Sequence, residues 1–502
     1  MKILFAVSHF GFLRNFEPAL RALAAEGHTL RLVADRADSL GGTRTIDNLT
    51  AACPGAAITF AYAPQRKDMW QHLAVRLRLC RDYWRYLEPR YAEATSLRAR
   101  AASQAPALAS RLPGLLVGTA AGRRFLHAIV GRCERALPPS PAARELLETE
   151  RPDVLLVTPL LYFGNSQVDY VRVARQLGIP TVLGVGSWDH LTTKGLLHVV
   201  PDRVVVWNEA QRTEAWEIHG VPPDRVSVTG AQAYDDWFTT HSSTTRDAFC
   251  ARHGFDPSRP IVLYLCSSPF ITPLEVPFVR RWLDAVRTAG DDAVRGANVL
   301  IRPHPQNAQQ WQDVDLSSQG AAIFPRAGAN PVDADARREY FDSMFHSVAV
   351  VGVNTSALIE SGIVGRPVCT IRAAEFEGQQ EGTLHFQHLK SVNGGLLHIA
   401  DDFEQHVGQL ARILGDPDTY AARSRAFIAG FVRPHGLDRR AAGLFVEALM
   451  QGAAARPAPP PAGRVLDRLI RLLLAPAARA AQAAALRRRK AKKAPVEVTL
   501  AG

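Results

Sequence analysis

Short continuous apolar runs, each closed by turn-forming residues, recur through the first half of the chain at Ile3–Val7, Leu30–Ala34, Val154–Thr158, Thr181–Gly184 and Val204–Trp207. Runs of this length without polar alternation suit strands buried on both faces of a parallel sheet. Asp224–Gly230 reads as the last strand of that half. The second half restarts with Ile261–Cys266 and continues through Val299–Arg302, Val348–Val351 and Val368–Ile371. Helical periodicity fills the spaces between, and strand alternating with helix predicts an α/β protein with two Rossmann-like, doubly wound domains. The halves are alike in architecture only, with no internal repeat.

The boundaries follow from breaks in this pattern. Met69–Leu137 is helical and ends at Pro138-Pro139-Ser140-Pro141, so residues 66–137 read as a helical insert within a first domain of residues 1–240. The polar stretch His241-Ser242-Ser243-Thr244-Thr245 is the expected linker to a second domain of residues 246–450. The helix after Gly436 and Asp438-Arg439-Arg440 is expected to close that domain and cross back to the first. Prolines from Pro457 to Pro461 set off a low-complexity basic tail, residues 451–502.

At 502 residues and 47% hydrophobic, the chain has enough apolar content for two cores. Its six cysteines, at positions 53, 80, 133, 250, 266 and 369, show no metal-ligand spacing and read as reduced core thiols. Ile3–Val7 is too short for a secretory signal, and no apolar run reaches the ~18 residues that cross a bilayer. The net charge of +11 is concentrated in two places. One is Arg66–Arg135, where arginines interleave with Trp70, Tyr83, Trp84, Tyr86 and Tyr91. The other is the tail, where Arg464, Arg468 and Arg471 alternate with Leu and Ile ahead of Arg487–Lys493. Basic amphipathic helices suit an anionic membrane surface, and the expected location is cytoplasmic, at the inner face of the cytoplasmic membrane. Solvated helix faces and a disordered tail are the alternative reading. No nucleic-acid reading motif accompanies the charge.

Two motifs carry the candidate chemistry. Arg302-Pro303-His304-Pro305 follows an apolar run and delivers a cation and an imidazole to a sheet edge. Gly352-Val353-Asn354-Thr355-Ser356-Ala357-Leu358-Ile359-Glu360 turns from a strand into a helix whose free N–H groups and dipole suit a phosphate. Asn354, Thr355 and Ser356 supply groups for capping or for phosphate oxygens, and Glu360, about one turn on, suits a ribose diol. His304 can equally be a buried turn histidine, and Glu360 a helix-start carboxylate. Walker A, complete GxGxxG, GxSxG and HExxH patterns are missing, Gly184-Val185-Gly186 being only a fragment, so kinase, dehydrogenase, hydrolase and zinc-peptidase readings lack support.

On these motifs the chain resembles the GT-B glycosyltransferases, within them the branch of bacterial sialyltransferases, capsule Kdo transferases and CDP-glycerol glycerophosphotransferases. The His-Pro motif of that branch corresponds to His304-Pro305, and its Ser-Thr motif to Thr355-Ser356 in reversed order. Met1–His9, Arg14–Pro18 and Glu26-Gly27-His28 are similar to the first strand, loop and helix of such enzymes. The likeness spans roughly residues 1–450. It implies acceptor on the first domain, donor on the second and reaction in the cleft between them.

His9, directly after the first strand, matches the catalytic base of some inverting relatives; a loop histidine capping the following helix is the alternative. Asp189 and His190, in Ser187-Trp188-Asp189-His190, form a second candidate pair of orienter and base, or a packed turn. Asp313-Val314-Asp315 and Asp333-Ala334-Asp335 sit in polar sequence and read as surface charge instead of a metal site, so no cofactor is expected. The expected activity is transfer of a sugar or polyol phosphate from a nucleotide-activated donor to a surface-polysaccharide or lipid-linked acceptor. The rivals are a GT-B-fold nucleotide-sugar epimerase, which needs several cleft carboxylates, and a non-catalytic membrane-associated scaffold.

Overall fold

The computed structural model describes residues 1–37, 41–329, 331, 333–455, 457 and 464–493. Strands β1 (Lys2–Val7), β2 (Thr29–Ala34), β3 (Ile58–Tyr62), β4 (Val154–Thr158), β5 (Thr181–Gly184), β6 (Arg203–Val206) and β7 (Val226–Val228) form one parallel sheet, ordered β3-β2-β1-β4-β5-β6-β7. Strands β8 (Ile261–Leu265), β9 (Asn298–Arg302), β10 (Ala321–Ile323), β11 (Ala349–Gly352), β12 (Val368–Ile371) and β13 (Leu397–Ala400) form a second, ordered β10-β9-β8-β11-β12-β13. Strand order reverses between β1 and β4 and between β8 and β11, which opens a crevice at the strand ends of each sheet. These are the two doubly wound domains that the apolar runs predict. The strands without a sequence prediction, β3, β10 and β13, are all edges. β3 leaves Phe60 and Tyr62 exposed beside Phe10, with ring centroids 5.9 and 5.4 Å away, so it lacks the unbroken apolar run of a central strand.

The segment between β3 and β4 is helical, chiefly Gln71–Arg85, Thr95–Gln104 and Ala120–Ala136. The expectation of a basic outer face here is corrected by where the arginines go. Arg78 is fully buried between Glu134 (2.7 Å) and Asp169 (2.9 Å), and Arg66 pairs with Asp68 and Asp169. Arg81 pairs with Glu134, and buried Arg123 donates to the Val117 carbonyl. Buried cations need partners, and Glu134 and Asp169, which supply most of them, lie far away in sequence.

The helix Ala441–Ala454 belongs by sequence to the second domain yet packs on the first, burying Phe445, Val446 and Leu449 against Phe5, Phe16 and Val182. Gly184 and Gly186 leave room for the Phe16 ring: a Cβ on either glycine would come within 2.7 and 2.9 Å of it. The glycine fragment is therefore a packing feature. Asp235 anchors the start of the crossing helix, accepting from the N–H groups of Ala441 (2.9 Å) and Ala442 (2.7 Å) and from Arg433 Nη2 (3.0 Å). Asp235→Ala strands a buried guanidinium and two helix-start amides, and is expected to cost about 3–5 kcal/mol, read from the midpoint of urea unfolding.

Candidate functional site

The segment Ser187–Gly195 follows β5 at the crevice of the first domain. Its backbone is held from the helical insert. The Arg85 guanidinium, fully buried, donates to the carbonyls of Leu191 (2.9 Å), Thr192 (2.8 Å), Lys194 (3.0 Å) and Gly195 (2.8 Å), with its Nε on Tyr91 Oη (2.7 Å). Tyr86 Oη donates to the Lys194 carbonyl (2.7 Å), and Arg100 takes that of Thr193. His219 Nε2 lies 2.8 Å from the Leu191 carbonyl, and Asp82 accepts from the Leu196 N–H at 2.7 Å. A short helix, His190–Thr193, thus has its unpaired carbonyl end saturated by side chains.

This clamp fixes the side chains of Trp188, Asp189 and His190. Asp189 accepts from Ser187 Oγ (2.5 Å) and Thr193 Oγ1 (2.8 Å), with Lys194 Nζ at 3.3 Å. Burial pushes its carboxyl up, but Lys194, the neighbouring imidazoles His190 and His385, and the Ser187 hydroxyl outweigh it and hold the group well below the usual carboxylate range. The Asp189 carboxylate is thus ionised and committed to Ser187, Thr193 and Lys194, with no hydrogen bond to His190 among the described residues. His190 is buried, and burial brings it down to about 4, so its imidazole is neutral near pH 7. Its Nδ1 has no hydrogen-bond partner among the described residues. His9, at the end of β1, lies on Phe12 (ring centroids 4.6 Å), and Phe12 meets His190 at 5.9 Å, so both predicted imidazoles flank one ring.

Trp188 joins the two domains. Its Nε1 donates to Ser356 Oγ (2.9 Å), and its ring meets His385 edge-on at 4.6 Å. His385, on the second domain, is also buried, brought down to about 4 by burial, and has an unpartnered Nδ1 among the described residues. Sequence reading missed it, because nothing around Leu384-His385-Phe386 marks a site.

The remaining predicted residues divide. His304 is part-buried, its Nδ1 accepting from the Gln306 N–H at 3.1 Å, and burial together with Arg14 brings it down to about 4. Glu360 accepts from Tyr340 Oη (2.5 Å); burial raises it, against that hydrogen bond and the charge of Arg14. Arg14, in the last turn of the 3-10 helix Phe10–Asn15 after β1, is exposed and has no ion-pair partner among the described residues, yet its charge acts on both groups of the other domain. It too escaped sequence reading as a site residue. Tyr234, buried and edge-on to Trp207 at 5.6 Å, is acted on by the charges of Glu360, Arg14 and Asp189.

Arg302 does not serve as the free donor-site cation that the sequence suggests. Its guanidinium is bidentate to Glu339 (2.6 and 2.7 Å), donates to Ser343 (2.8 Å) and lies over the Tyr340 ring. It positions Tyr340, and through it Glu360. The Asn354 side chain likewise turns inward, donating to the Gln379 carbonyl at 3.0 Å. Thr355 and Ser356 begin a helix of only seven residues, Ala357–Ile363. The Leu358 and Ile359 amides bond back to the Thr355 and Ser356 carbonyls, so fewer N–H groups are offered to a phosphate than the motif suggests. Asp333 caps the helix Ala334–Phe345, Asp335 pairs with Arg338, and Asp315 accepts from the Ser317 amide. Among the described residues no group of three or more His, Cys, Asp or Glu side chains is placed to hold a metal.

No protein-family model and no curated protein sequence matches the chain. Among solved structures its fold is similar to that of the UDP-GlcNAc 2-epimerase from Methanocaldococcus jannaschii, at 11% identity and a TM-score of 0.50 over 90% of this chain and 99% of that one. It is similar to HepE from Anabaena, solved in complex with UDP, at 10% identity and 0.50 over 90% and 100%. It is also similar to a glycosyltransferase from Rickettsia africae, at 11% identity and 0.51 over 90% and 99%. These likenesses establish the architecture as two Rossmann-like domains facing a cleft, the GT-B arrangement.

Two measurements check this geometry. Arg85→Lys keeps the charge but cannot reach four carbonyls at once, so amide exchange across residues 189–196 should rise by about tenfold or more while the sheet amides stay protected. The buried imidazoles set an acid limb. Because His190 and His385 titrate at about 4 in the folded chain and near 6.5 when unfolded, the unfolded state binds more protons between those values. Their contribution to stability is full above ~6.5 and is lost as pH falls towards ~4, each adding up to about 1.4 kcal/mol per pH unit to the slope. Unfolding free energies measured across that window should therefore fall less steeply for His190→Asn and His385→Asn than for the wild type.

Proposed function

We propose that this protein transfers a sugar, or a polyol phosphate, from a nucleotide-activated donor to an acceptor hydroxyl on a surface-polysaccharide or lipid-linked glycan. The observation that carries the reading is the meeting of the two domains at Trp188, whose indole donates to Ser356 and packs on His385, next to His190, which shares the Phe12 ring with His9, while the charge of Arg14 reaches His304 of the other domain. In this reading His304, Arg14 and the Thr355-Ser356 turn face the donor phosphates, and Glu360 takes a ribose hydroxyl with the carboxylate oxygen that Tyr340 leaves open. The acceptor oxygen attacks the donor carbon, or phosphorus for a polyol phosphate, and its proton passes to the neutral imidazole of His190. The bond to the nucleotide phosphate oxygen breaks, and that oxygen leaves with the electron pair towards Arg14. The charge of the leaving group is met by protein donors, so a resident metal is not part of the scheme.

Fold similarity alone would serve an epimerase equally well. Epimerisation needs groups that remove and return a proton at a sugar carbon, and of the two candidate carboxylates Asp189 has both oxygens committed while Glu360 keeps one, which the ribose takes in this reading. Asp189 spends both oxygens on Ser187 and Thr193, and Glu360 bonds Tyr340. Transfer, which asks for one base and a stabilised leaving group, fits the side chains better.

Calorimetry across CMP, CDP, UDP and GDP species should find one preferred nucleotide, with Arg14→Ala and His304→Ala each weakening it by about tenfold or more. With the preferred donor and an acceptor glycan, His190→Ala should lower turnover by about 10²–10⁴ with donor affinity little changed. That pattern in His9→Ala instead would move the base across the Phe12 ring. Donor converted to its epimer without acceptor would replace transfer with epimerisation, loss of turnover to a chelator would restore a metal, and no nucleotide affinity at all would leave the scaffold reading.

A further inference from the structure

A helix on a protein surface ordinarily turns its apolar stripe inward and its charges out. The tail helix Arg464–Lys493 does the reverse. Its inward side, at Asp467, Arg471, Leu474, Ala478 and Ala481, rests on the insert helices Gln71–Arg85 and Ala120–Ala136. Those contacts are largely polar or small: Asp467 pairs with Arg132 at 2.5 Å, Arg471 donates to the Ala136 carbonyl at 2.5 Å, and Leu474 and Ala478 join Leu73, Ala74 and Leu137. On the opposite side Val465, Leu469, Leu472 and Leu473 are 74, 54, 72 and 80% exposed. At 100° per residue these four share one stripe, directly across from Asp467 and Leu474.

The neighbouring insert helix also exposes apolar side chains. Phe125 and Ile129, 58 and 45% exposed, lie on the same stripe of Ala120–Ala136 as Arg132, the residue that pairs with Asp467. An apolar surface of this kind on two packed helices marks an interaction site. Charge identifies the occupant. Arg124, Arg468, Arg479 and Arg487 are exposed around the stripe, and the last seven residues of the helix carry six basic residues in sequence, Arg487–Lys493, whose side chains beyond Arg487 lie outside the described residues. A dimer interface of like-charged copies would set these cations against one another, whereas an anionic lipid surface offers both acyl chains and counter-charge. The segment Val465–Arg487 is also long and apolar enough, by length and composition, to cross a membrane, contrary to the expectation from its sequence. Its seat along the insert helices argues for lying in the interface.

We infer that the outward stripe of the tail helix docks the protein in plane on an anionic lipid surface. The test is co-sedimentation of the full-length protein with phosphatidylcholine vesicles, with and without phosphatidylglycerol. Binding is expected to need the anionic lipid, to weaken with salt, and to fall by about tenfold or more in L469S/L472S/L473S, which leaves the charge unchanged. Circular dichroism and nucleotide affinity of the variant control for its folding. Binding unchanged in that variant, or concentration-dependent dimerisation in light scattering that the three substitutions abolish without vesicles, would overturn the proposal. So would resistance of the bound protein to alkaline carbonate extraction, since that marks a spanning helix.

Discussion

One buried guanidinium organises the first-domain side of this cleft. Arg85 satisfies four backbone carbonyls within five consecutive residues, and no other side chain type has the planar, multi-donor geometry to do so. Without it, the loop after β5 would bury polar backbone with no partner, a cost of roughly 1–3 kcal/mol per group. With it, Trp188, Asp189 and His190 emerge from a rigid base towards the second domain. The helical insert, whose Arg85 lies 106 to 110 residues before the carbonyls it holds, is thereby part of the site.

Rigidity on one side is matched by polar and ionic bridges between the domains. Trp188 reaches Ser356, His388 meets Glu214 at 2.5 Å, Arg337 pairs with Glu17 at 3.0 Å, and the helix anchored by Asp235 returns to the first core. Most of these contacts are few-atom and directional, unlike the apolar fastening of the crossing helix. Apolar packing joins the domains as well, since Trp188, Trp207 and Tyr234 of the first share one buried cluster with Phe386, Phe427 and Phe431 of the second.

Electrostatics in the cleft is governed by burial more than by charge. His190, His304 and His385 are all held neutral by loss of hydration, which Arg14 reinforces at His304 and Asp189 opposes at His190 and His385. Asp189 stays ionised because Lys194 and the hydroxyls outweigh the same loss. Neutral imidazoles beside a fixed carboxylate and an unpaired arginine give proton-accepting and anion-facing groups within one region, which is the chemical content of the proposed transfer.

Much of the architecture was legible in the chain, since each central strand is an unbroken apolar run and only strands buried on both faces need one. The edge strands β3, β10 and β13 were not, because a half-covered strand carries no such run. Among candidate residues, His9, Asp189, His190, His304 and Glu360 stand out in the sequence because each follows a strand, where parallel sheets place their chemistry. Arg302 shared that position, and only the fold turned it onto Glu339, 37 residues away in a helix whose sequence gives no sign of the pairing. Arg14 and His385 were invisible as site residues for the complementary reason: an ordinary exposed arginine and a helix-start histidine gain meaning only when the other domain is opposite. The basic composition of the insert was plain, yet charge counts cannot say whether an arginine meets solvent or a carbonyl. The sequence by itself determined the strands and the residue types at their ends. Tertiary structure decided which of those side chains face the cleft, because partners for buried charges and carbonyls come from segments distant in sequence.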